Sequence, residues 1–283
     1  MKIPKYWAKS GQTVRQPNGR AIKLEIWQWS DISQEQAQQK ATERVAEVAQ
    51  KVSTGAQLNR YAYGERPLRE EITQGVANAA GSEVAVVTRN LYGALVLNAA
   101  NAMFVDIDFP DKGTSGSSGG LSRLFGKPAI NHEDQHVQRI MTWAVRYPDL
   151  GIRIYRTAGG LRCLFTNQVF DPGRAETTDI LRALDSDPLY VRLCQAQACF
   201  RARLTPKPWR CDLPMPPSRY PWVDFVAETR YREWVQRYEQ RTPQYAVCRL
   251  VKQLGPQEVH PDVQPVLTLH DRLTCSDYAH QLA

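Results

Sequence analysis

Short segments in which apolar and polar residues alternate occur along much of the chain, and this pattern predicts β-strands. The first two strands lie on either side of a turn at residues 16–19, and the second of them covers residues 21–27. Ser33, followed by polar residues, has the composition of a helix cap. A helix is therefore predicted from there to about Val52, and residues 1–79 are predicted to form an N-terminal α/β unit.

The next segments predict a sheet with helices on one of its faces. Strands at residues 84–88 and 91–97 precede a third, at residues 102–109, whose apolar pattern ends at Pro110. Beyond it the patterns predict a helix at residues 131–147 and a hairpin of two strands at residues 151–166. Two helices within residues 175–198 and a last strand at residues 199–204 follow. An order of strand, helix, strand, strand, helix, strand is typical of a ferredoxin-like antiparallel sheet. We therefore predict an α+β core over residues 80–212.

The remaining residues, 213–283, differ in character. Four closely spaced prolines at their start predict an extended connector. Helices are predicted at residues 224–240 and 244–254. Residues 266–269 are predicted to form a short strand before His270, which we expect to be solvated. This part is interpreted as a proline-rich connector and a helical C-terminal segment.

The composition limits the class of protein. Of the 283 residues, 42% are hydrophobic and 23% are charged, which is typical of a soluble globular chain. No apolar run is long enough to span a membrane and the N-terminus has no apolar signal core, so we expect a cytoplasmic protein. The six cysteines are scattered, which favours reduced thiols over a disulfide framework. The net charge of +7 is compatible with a polyanionic partner, although many basic proteins bind none.

Two acidic residues stand in the strand predicted at residues 102–109. Asp106 and Asp108 are two positions apart, so both side chains lie on the same face of the strand. Two carboxylates at this spacing repel each other unless a cation lies between them or one of them is protonated. Carboxylate oxygens suit Mg²⁺ or Mn²⁺, so the pair predicts a divalent metal site of the kind that handles phosphates. The alternative is a strand end whose acids cap the next loop or are solvated.

Four arginines are predicted on strands beside these aspartates: Arg156, Arg162, Arg201 and Arg203. Arg201 and Arg203 share one face of their strand, which is unfavourable unless they share an anion. Acids for a metal beside arginines for phosphates form the arrangement that phosphoryl and nucleotidyl transfer require. The glycines Gly159 and Gly160 would let a triphosphate approach the backbone closely. Alternatively, the arginines neutralise the aspartates directly and form a structural charge cluster.

These motifs resemble those of the archaeo-eukaryotic primase superfamily. The strand at residues 104–109 is similar to that family's first motif, an acid-x-acid strand. Residues 158–162 resemble its second motif, a small or glycine-rich turn followed by a strand with a histidine. Residues 201–207 are similar to a basic strand before a proline-containing turn in some members. The resemblance covers about residues 80–210, and it implies an RRM-like (ferredoxin-like) core preceded by a smaller α/β unit.

The resemblance implies a metal-dependent nucleotidyltransferase that acts on nucleoside triphosphates and on nucleic acid, DNA or RNA. It places Mg²⁺ or Mn²⁺ on Asp106 and Asp108, with cationic side chains on the phosphates. These side chains are Arg156, Arg162, Arg201, Arg203 and Lys207. Two positions depart from the family pattern. Arg162 stands where the family has a histidine, and the third acid has no clear counterpart, since Asp212 and Asp224 are candidates by position alone. A diverged or inactive member therefore remains an open alternative.

Two further motifs have the residue types of zinc ligands. The segment His132–His136 formally matches the HExxH pattern of zinc proteases, but it begins a helix, where the helix dipole by itself favours acids such as Asp134. Cys194, Cys199 and Cys211 would supply three ligands, without a paired CxxC. An ordinary helix start and buried free thiols are the interpretations we prefer.

Aromatic and basic side chains alternate after the last strand of the predicted core: Trp209, Arg210, Arg219, Tyr220, Trp222 and Phe225. Such residues stack on the bases of single-stranded nucleic acid, but packing beside a proline connector is the commoner case. The sequence therefore leaves three functions in order of preference. They are nucleotidyl transfer, a non-catalytic nucleic-acid-binding module that keeps the basic sheet, and zinc-dependent hydrolysis.

Overall fold

The structure, a computed structural model, describes residues 1–56, 67–110, 132–274 and 280–283, which form an α+β protein. The described residues form six α-helices, which are α1 (Gln34–Ser53), α2 (His132–Ala144), α3 (Ala175–Ala183), α4 (Pro188–Gln197), α5 (Phe225–Arg241) and α6 (Gln264–Leu273). Its strands are β1 (Tyr6–Arg15), β2 (Ala21–Ser30), β3 (Glu71–Ala77), β4 (Glu83–Arg89), β5 (Leu95–Ala99), β6 (Phe104–Asp108), β7 (Ile152–Thr157), β8 (Gly160–Phe165), β9 (Phe200–Arg203), β10 (Tyr245–Ala246), β11 (Cys248–Leu254) and β12 (Gln281–Leu282). None of the helices in these ranges combines the length and the apolar character that crossing a membrane requires.

The N-terminal unit is a β-hairpin with a helix packed against it, as the alternation predicts. β1 and β2 pair along their whole length. Ser33 caps α1, because its side-chain oxygen accepts a hydrogen bond from the backbone N–H of Gln36 at 3.2 Å. Ala37 and Ala41 of the helix pack on Ala8 of the hairpin. Side chains this small let the helix lie close to the strands.

The strand that carries the two aspartates, β6, is at one edge of a four-stranded antiparallel sheet in the order β11-β7-β8-β6. Asp106 lies opposite Arg162 of β8, and Arg162 lies opposite Tyr155 of β7. Asp108 lies opposite Gly160, the first residue of β8. Side chains at paired positions point to the same face of an antiparallel sheet. Asp106, Arg162 and Tyr155 therefore share one face.

Helices cover both faces of this sheet, which corrects the prediction that they lie on one face. α6 packs on the face with the aspartates, where the ring of His270 lies 5.3 Å from that of Phe104 and 4.9 Å from that of Tyr155. α2 packs on the other face, where Trp143 contacts Phe165 at a ring separation of 6.1 Å. A continuous hydrophobic core links these layers to the second four-stranded sheet.

The second sheet has the order β3-β4-β5-β9. β9 therefore pairs with β5, whereas the predicted fold placed it beside β6. The outer edge of β6 is already occupied. The backbone N–H of Asp187 and the hydroxyl of Ser186 donate to the carbonyl of Asp106, at 2.9 and 3.1 Å. The hydroxyl of Tyr190 donates to the carbonyl of Phe104 at 3.0 Å. Since these carbonyls are satisfied, β6 offers no ladder to a further strand.

The C-terminal segment differs from its predicted elements. β11 replaces the second predicted helix, because Cys248 and Leu250 alternate with polar residues and a bulge after Leu250 lets Leu254 reach the core. α6 replaces the predicted short strand. Pro265 lies in its first turn, where the missing N–H costs no hydrogen bond. His270 consequently lies inside the core, with no exposed surface, and the prediction that it is solvated is wrong.

Two predicted boundaries can be placed on this fold. The boundary between residues 79 and 80 falls between β3 and β4, which pair with each other. The boundary after residue 212 precedes β11 and α6, which complete the sheet and the core around β6. α5 packs on a smaller cluster of its own that contains Trp234 and Tyr238.

Candidate functional site

The side chains of Asp106 and Asp108 lie at the end of β6, the first partly buried and the second exposed. Within the described part of the chain, neither carboxylate accepts a hydrogen bond or forms an ion pair. The described residues therefore do not form the alternative arrangement, in which arginines neutralise the aspartates directly. Their carboxylate oxygens remain available to a ligand.

Charged groups around Asp108 alter its acidity. Partial burial and the nearby carboxylates of Asp106 and Asp187 raise the pKa of Asp108, while Lys207 and Arg210 act in the opposite direction. Asp187 is the N-cap of α4, and its carboxylate accepts from two backbone N–H groups there. The charges of three acids and at least two cations therefore interact at this site.

The cations form a cluster beside the acids. Arg162 is 5% exposed, and its Nη1 donates to the carbonyl of Arg203 at 2.9 Å. Burial and the charges of Arg162 and Arg210 lower the pKa of Arg203 to about 10. Burial and the charges of Arg203 and Arg210 lower the pKa of Lys207, which Asp108 partly offsets. None of these four cations forms an ion pair with a described residue, and crowding of this kind favours an anion.

The phosphate-cation cluster, as we name Arg162, Arg203, Lys207 and Arg210, overlaps only in part with the predicted set. Arg156 lies on the opposite face of the sheet, where its Nε donates to Glu133 at 2.9 Å. Arg201 donates to both carboxylate oxygens of Glu70, at 2.8 and 2.9 Å.

We predicted that Arg201 and Arg203 need an anion beside them. For Arg201 that anion is the carboxylate of Glu70 and not a bound ligand. The structure brings Arg162, Arg203 and Lys207 together near the aspartates, and it places Arg156 and Arg201 in ion pairs elsewhere.

The two glycines at the start of β8 have different roles. A Cβ on Gly160 would lie 1.8 Å from the carbonyl oxygen of Ile107, so the close approach of β6 and β8 requires glycine here. A Cβ on Gly159 would meet only Arg210 Nη2 at 3.7 Å and Asp108 Oδ1 at 4.0 Å. Gly159 therefore borders the acids and the cations, whereas Gly160 serves the sheet.

Sequence reasoning missed Asp187, and it considered Arg210 only among residues that could stack on nucleic-acid bases, not as a neighbour of Asp108. Asp187 followed by a proline signals a helix start, but no local pattern places that start beside β6. The two acids considered by position lie elsewhere. Asp212 pairs with Arg241 at 3.3 Å, and Asp224 caps α5.

The described side chains of the HExxH segment make contacts within the protein. Glu133, which would act as the general base of a zinc protease, pairs with Arg156. His136 stacks on Phe109 at 5.3 Å with an interplanar angle of 19°. The side chain of His132 lies outside the described residues.

The cysteines considered as zinc ligands are buried thiols. Burial raises the pKa of Cys194 to about 12 and that of Cys199 to about 11, which disfavours thiolates. Cys211 donates to the carbonyl of Pro208 at 3.2 Å. Across the described ranges, no three His, Cys, Asp or Glu side chains form a group that could hold a metal ion.

The aspartate pair nevertheless suits Mg²⁺ or Mn²⁺. Magnesium keeps several waters and is usually bound by one or two carboxylates together with substrate phosphates, so a site of two acids is sufficient. Burial and the neighbouring carboxylates raise the pKa of Asp108 by more than Lys207 and Arg210 lower it, and a bound cation would favour its ionised form. Asp106 and Asp108 are the residues that would hold it.

Replacing Asp108 with asparagine is expected to stabilise the folded protein at about pH 7. Because the pKa of Asp108 is raised on folding, its ionised form is disfavoured in the native state, and wild-type stability falls as the pH rises through that pKa. The gain should disappear at about pH 3, where the carboxyl group is protonated in both states. Urea unfolding at both pH values tests this, and a less stable Asp108→Asn variant at neutral pH would contradict it.

Comparison of the chain with models of protein families, with curated proteins and with solved structures gives no match in any of the three. The primase resemblance therefore rests on the sequence motifs alone and stays a prediction.

Proposed function

We propose that the two aspartates and the phosphate-cation cluster bind the triphosphate of a nucleotide together with Mg²⁺ or Mn²⁺, and that the site transfers a nucleotidyl group to nucleic acid. The observation that carries this proposal is the adjacency of unpaired acids and unpaired cations. Among the described residues, Asp106 and Asp108 have no hydrogen-bond or ion-pair partner, and Lys207 and Arg210 form no ion pair. The charges of Lys207 and Arg210 nevertheless interact with that of Asp108. Charges arranged in this way suit a ligand that carries both a metal and phosphates.

The fold is compatible with this function. β7, β8 and β6 are adjacent in the order expected for an RRM-like core, and β9 contacts β6 although it pairs in the other sheet. The proposed core thus has a modified edge in comparison with a four-stranded RRM-like sheet. The acidic strand still lies beside the basic strand and the turn that follows it.

Each residue has a chemical role in the proposal. If bound, Mg²⁺ or Mn²⁺ would supply positive charge that offsets the phosphates and favours an attacking hydroxyl. Asp106 and Asp108 hold that ion, while Lys207 and Arg210 stabilise the negative charge that develops on the phosphates. Arg162 is held between β9 and α6, so its guanidinium is fixed in place. A guanidinium offers only N–H donors, so in the proposal Arg162 binds phosphate and takes no part in proton transfer.

A second candidate, a non-catalytic module that binds phosphate groups of nucleic acid, is favoured by one observation. The described residues contain no group of three potential metal ligands, so the acid set is smaller than the primase resemblance implies. Such a module needs the cations and not the aspartates.

Calorimetric titration of a nucleoside triphosphate, with and without Mn²⁺, distinguishes the two candidates. We expect Mn²⁺ to increase the affinity of the wild type for the triphosphate. In the presence of Mn²⁺, the double variant Asp106→Asn with Asp108→Asn should bind the triphosphate at least about tenfold more weakly than the wild type. Asp179→Asn, an exposed acid on α3, is the control and should bind like the wild type. A primer-extension assay then tests transfer.

Binding that ignores both Mn²⁺ and the two substitutions would refute the metal site and support the non-catalytic module. That module predicts a steep loss of affinity with salt, because its binding is electrostatic. Absence of any binding would leave the acids and cations as a structural cluster.

A further inference from the structure

Trp209 stands between two cations of the proposed site. It is the central residue of a short 3₁₀ turn, Pro208–Arg210, with Lys207 directly before the turn. The residue is 50% exposed, although tryptophan is usually among the more buried residues. A large aromatic surface is therefore presented to solvent next to groups that would bind phosphates.

Hydrogen bonds and prolines constrain the turn that carries Trp209. The hydroxyl of Tyr238 donates to the carbonyl of Pro206, and the backbone N–H of Cys211 donates to the carbonyl of Pro208 at 3.0 Å. Prolines at positions 206 and 208 restrict the backbone further. The backbone that carries the indole is thus constrained before any ligand binds, which reduces the entropy that binding costs.

Two neighbours hold the indole ring itself. Tyr92 makes an edge-to-face contact with it, at a ring separation of 5.1 Å and an angle of 87°. The ammonium of Lys207 lies 5.4 Å from the ring centroid. Lys207 thereby contacts the indole while its charge interacts with Asp108, so it connects the aromatic surface to the acids.

We propose that Trp209 stacks on the nucleobase of the nucleotide whose phosphates are bound by Lys207 and Arg210. This inference rests on the proposed function and specifies its substrate as a nucleotide in place of any other polyphosphate. Every base has a π-face, so stacking tolerates all four bases and we expect little preference among them. A cation beside the ring suits a ligand that is aromatic at one end and anionic at the other.

Two ligands separate stacking from phosphate binding. Calorimetry compares a nucleoside triphosphate with inorganic tripolyphosphate, both with Mn²⁺, on the wild type and on Trp209→Ala. We expect Trp209→Ala to weaken the nucleotide about tenfold or more and to leave tripolyphosphate unchanged. Tyr147→Ala, which removes an aromatic side chain of similar exposure (47%) just after α2, should change neither affinity.

Trp209→Leu and Trp209→Phe keep the inference testable if Trp209→Ala fails to fold. Leucine retains apolar bulk without an aromatic face, so it should lose nucleotide affinity, whereas phenylalanine should keep most of it.

Equal losses for both ligands, or no loss for either, would overturn the stacking role and leave the proposed function intact. A wild type that binds neither ligand would overturn the proposed function, and the stacking role with it.

Discussion

Replacing Arg201 with methionine should lower the free energy of unfolding by about 3–5 kcal/mol, the largest effect on stability that we expect from one substitution. The side chain of Arg201 is mostly buried on β9, and it donates to both oxygens of Glu70, which is itself 5% exposed. Glu70 also accepts a hydrogen bond from the hydroxyl of Thr88 at 2.5 Å. Without Arg201 this buried carboxylate has lost its counter-charge. The midpoint and slope of urea unfolding measure the change.

The neighbouring ion pair provides a matched control. Glu71 pairs with Arg232, whose side chain is 44% exposed, at 2.5 Å. Because this pair is more exposed, with side-chain exposures of 44% and 16% against 12% and 6% for Arg201 and Glu70, Arg232→Met should cost clearly less than Arg201→Met. Similar losses for the two variants would show that burial does not determine the value of these pairs. A double variant, Arg201→Met with Glu70→Leu, should recover much of the loss, since it leaves no buried charge.

Replacing His270 with leucine should both destabilise the protein, by about 2–4 kcal/mol, and weaken triphosphate binding. Arg162 has only N–H donors, so the Nε2 atom of His270 at 3.3 Å accepts, and Nδ1 carries the proton that it donates to Asp271 at 2.9 Å. Leucine removes a partner from each of these two charged groups. Arg162 then keeps only the carbonyl of Arg203 among its described hydrogen bonds. Urea unfolding and calorimetry with tripolyphosphate measure the two effects.

Two variants separate the positioning of Arg162 from general stability. His270→Gln offers one donor and one acceptor, so it should restore part of both losses. Tyr155→Phe removes the 2.8 Å hydrogen bond from Tyr155 to Asp271 without changing a partner of Arg162. It should cost about 1 kcal/mol and leave the affinity for tripolyphosphate unchanged. A His270→Leu variant that binds tripolyphosphate like the wild type would refute the connection between α6 and the site.

The parts of the site that the sequence predicted depend on local geometry. Asp106 and Asp108 lie on one face of β6 because the side chains of a strand alternate with a period of two. Arg162 lies opposite Asp106 because β7 and β8 form a hairpin and β6 pairs with β8. The acid pair and the N-terminal hairpin with its capped helix were therefore predictable from patterns a few residues long, whereas the position of Arg162 also needed the predicted order of the strands.

The partners of the other charged residues were decided only by the tertiary structure. Glu70 neutralises Arg201 from a position 131 residues away in the chain. Arg156 is adjacent to Tyr155 in sequence, yet alternation turns it to the other face, toward Glu133. No local pattern contains these pairings, since they depend on which elements pack together.

The sequence by itself determined the acidic strand, the basic residues around it and the α+β class. The tertiary structure decided which cations stay unpaired beside the acids, that β9 joins the other sheet, and that His270 is buried. The physical reason is the satisfaction of backbone groups. Residues 186–190 occupy the carbonyls at the edge of β6, so β9 pairs with β5, and the turn after it brings Lys207 and Arg210 to Asp108.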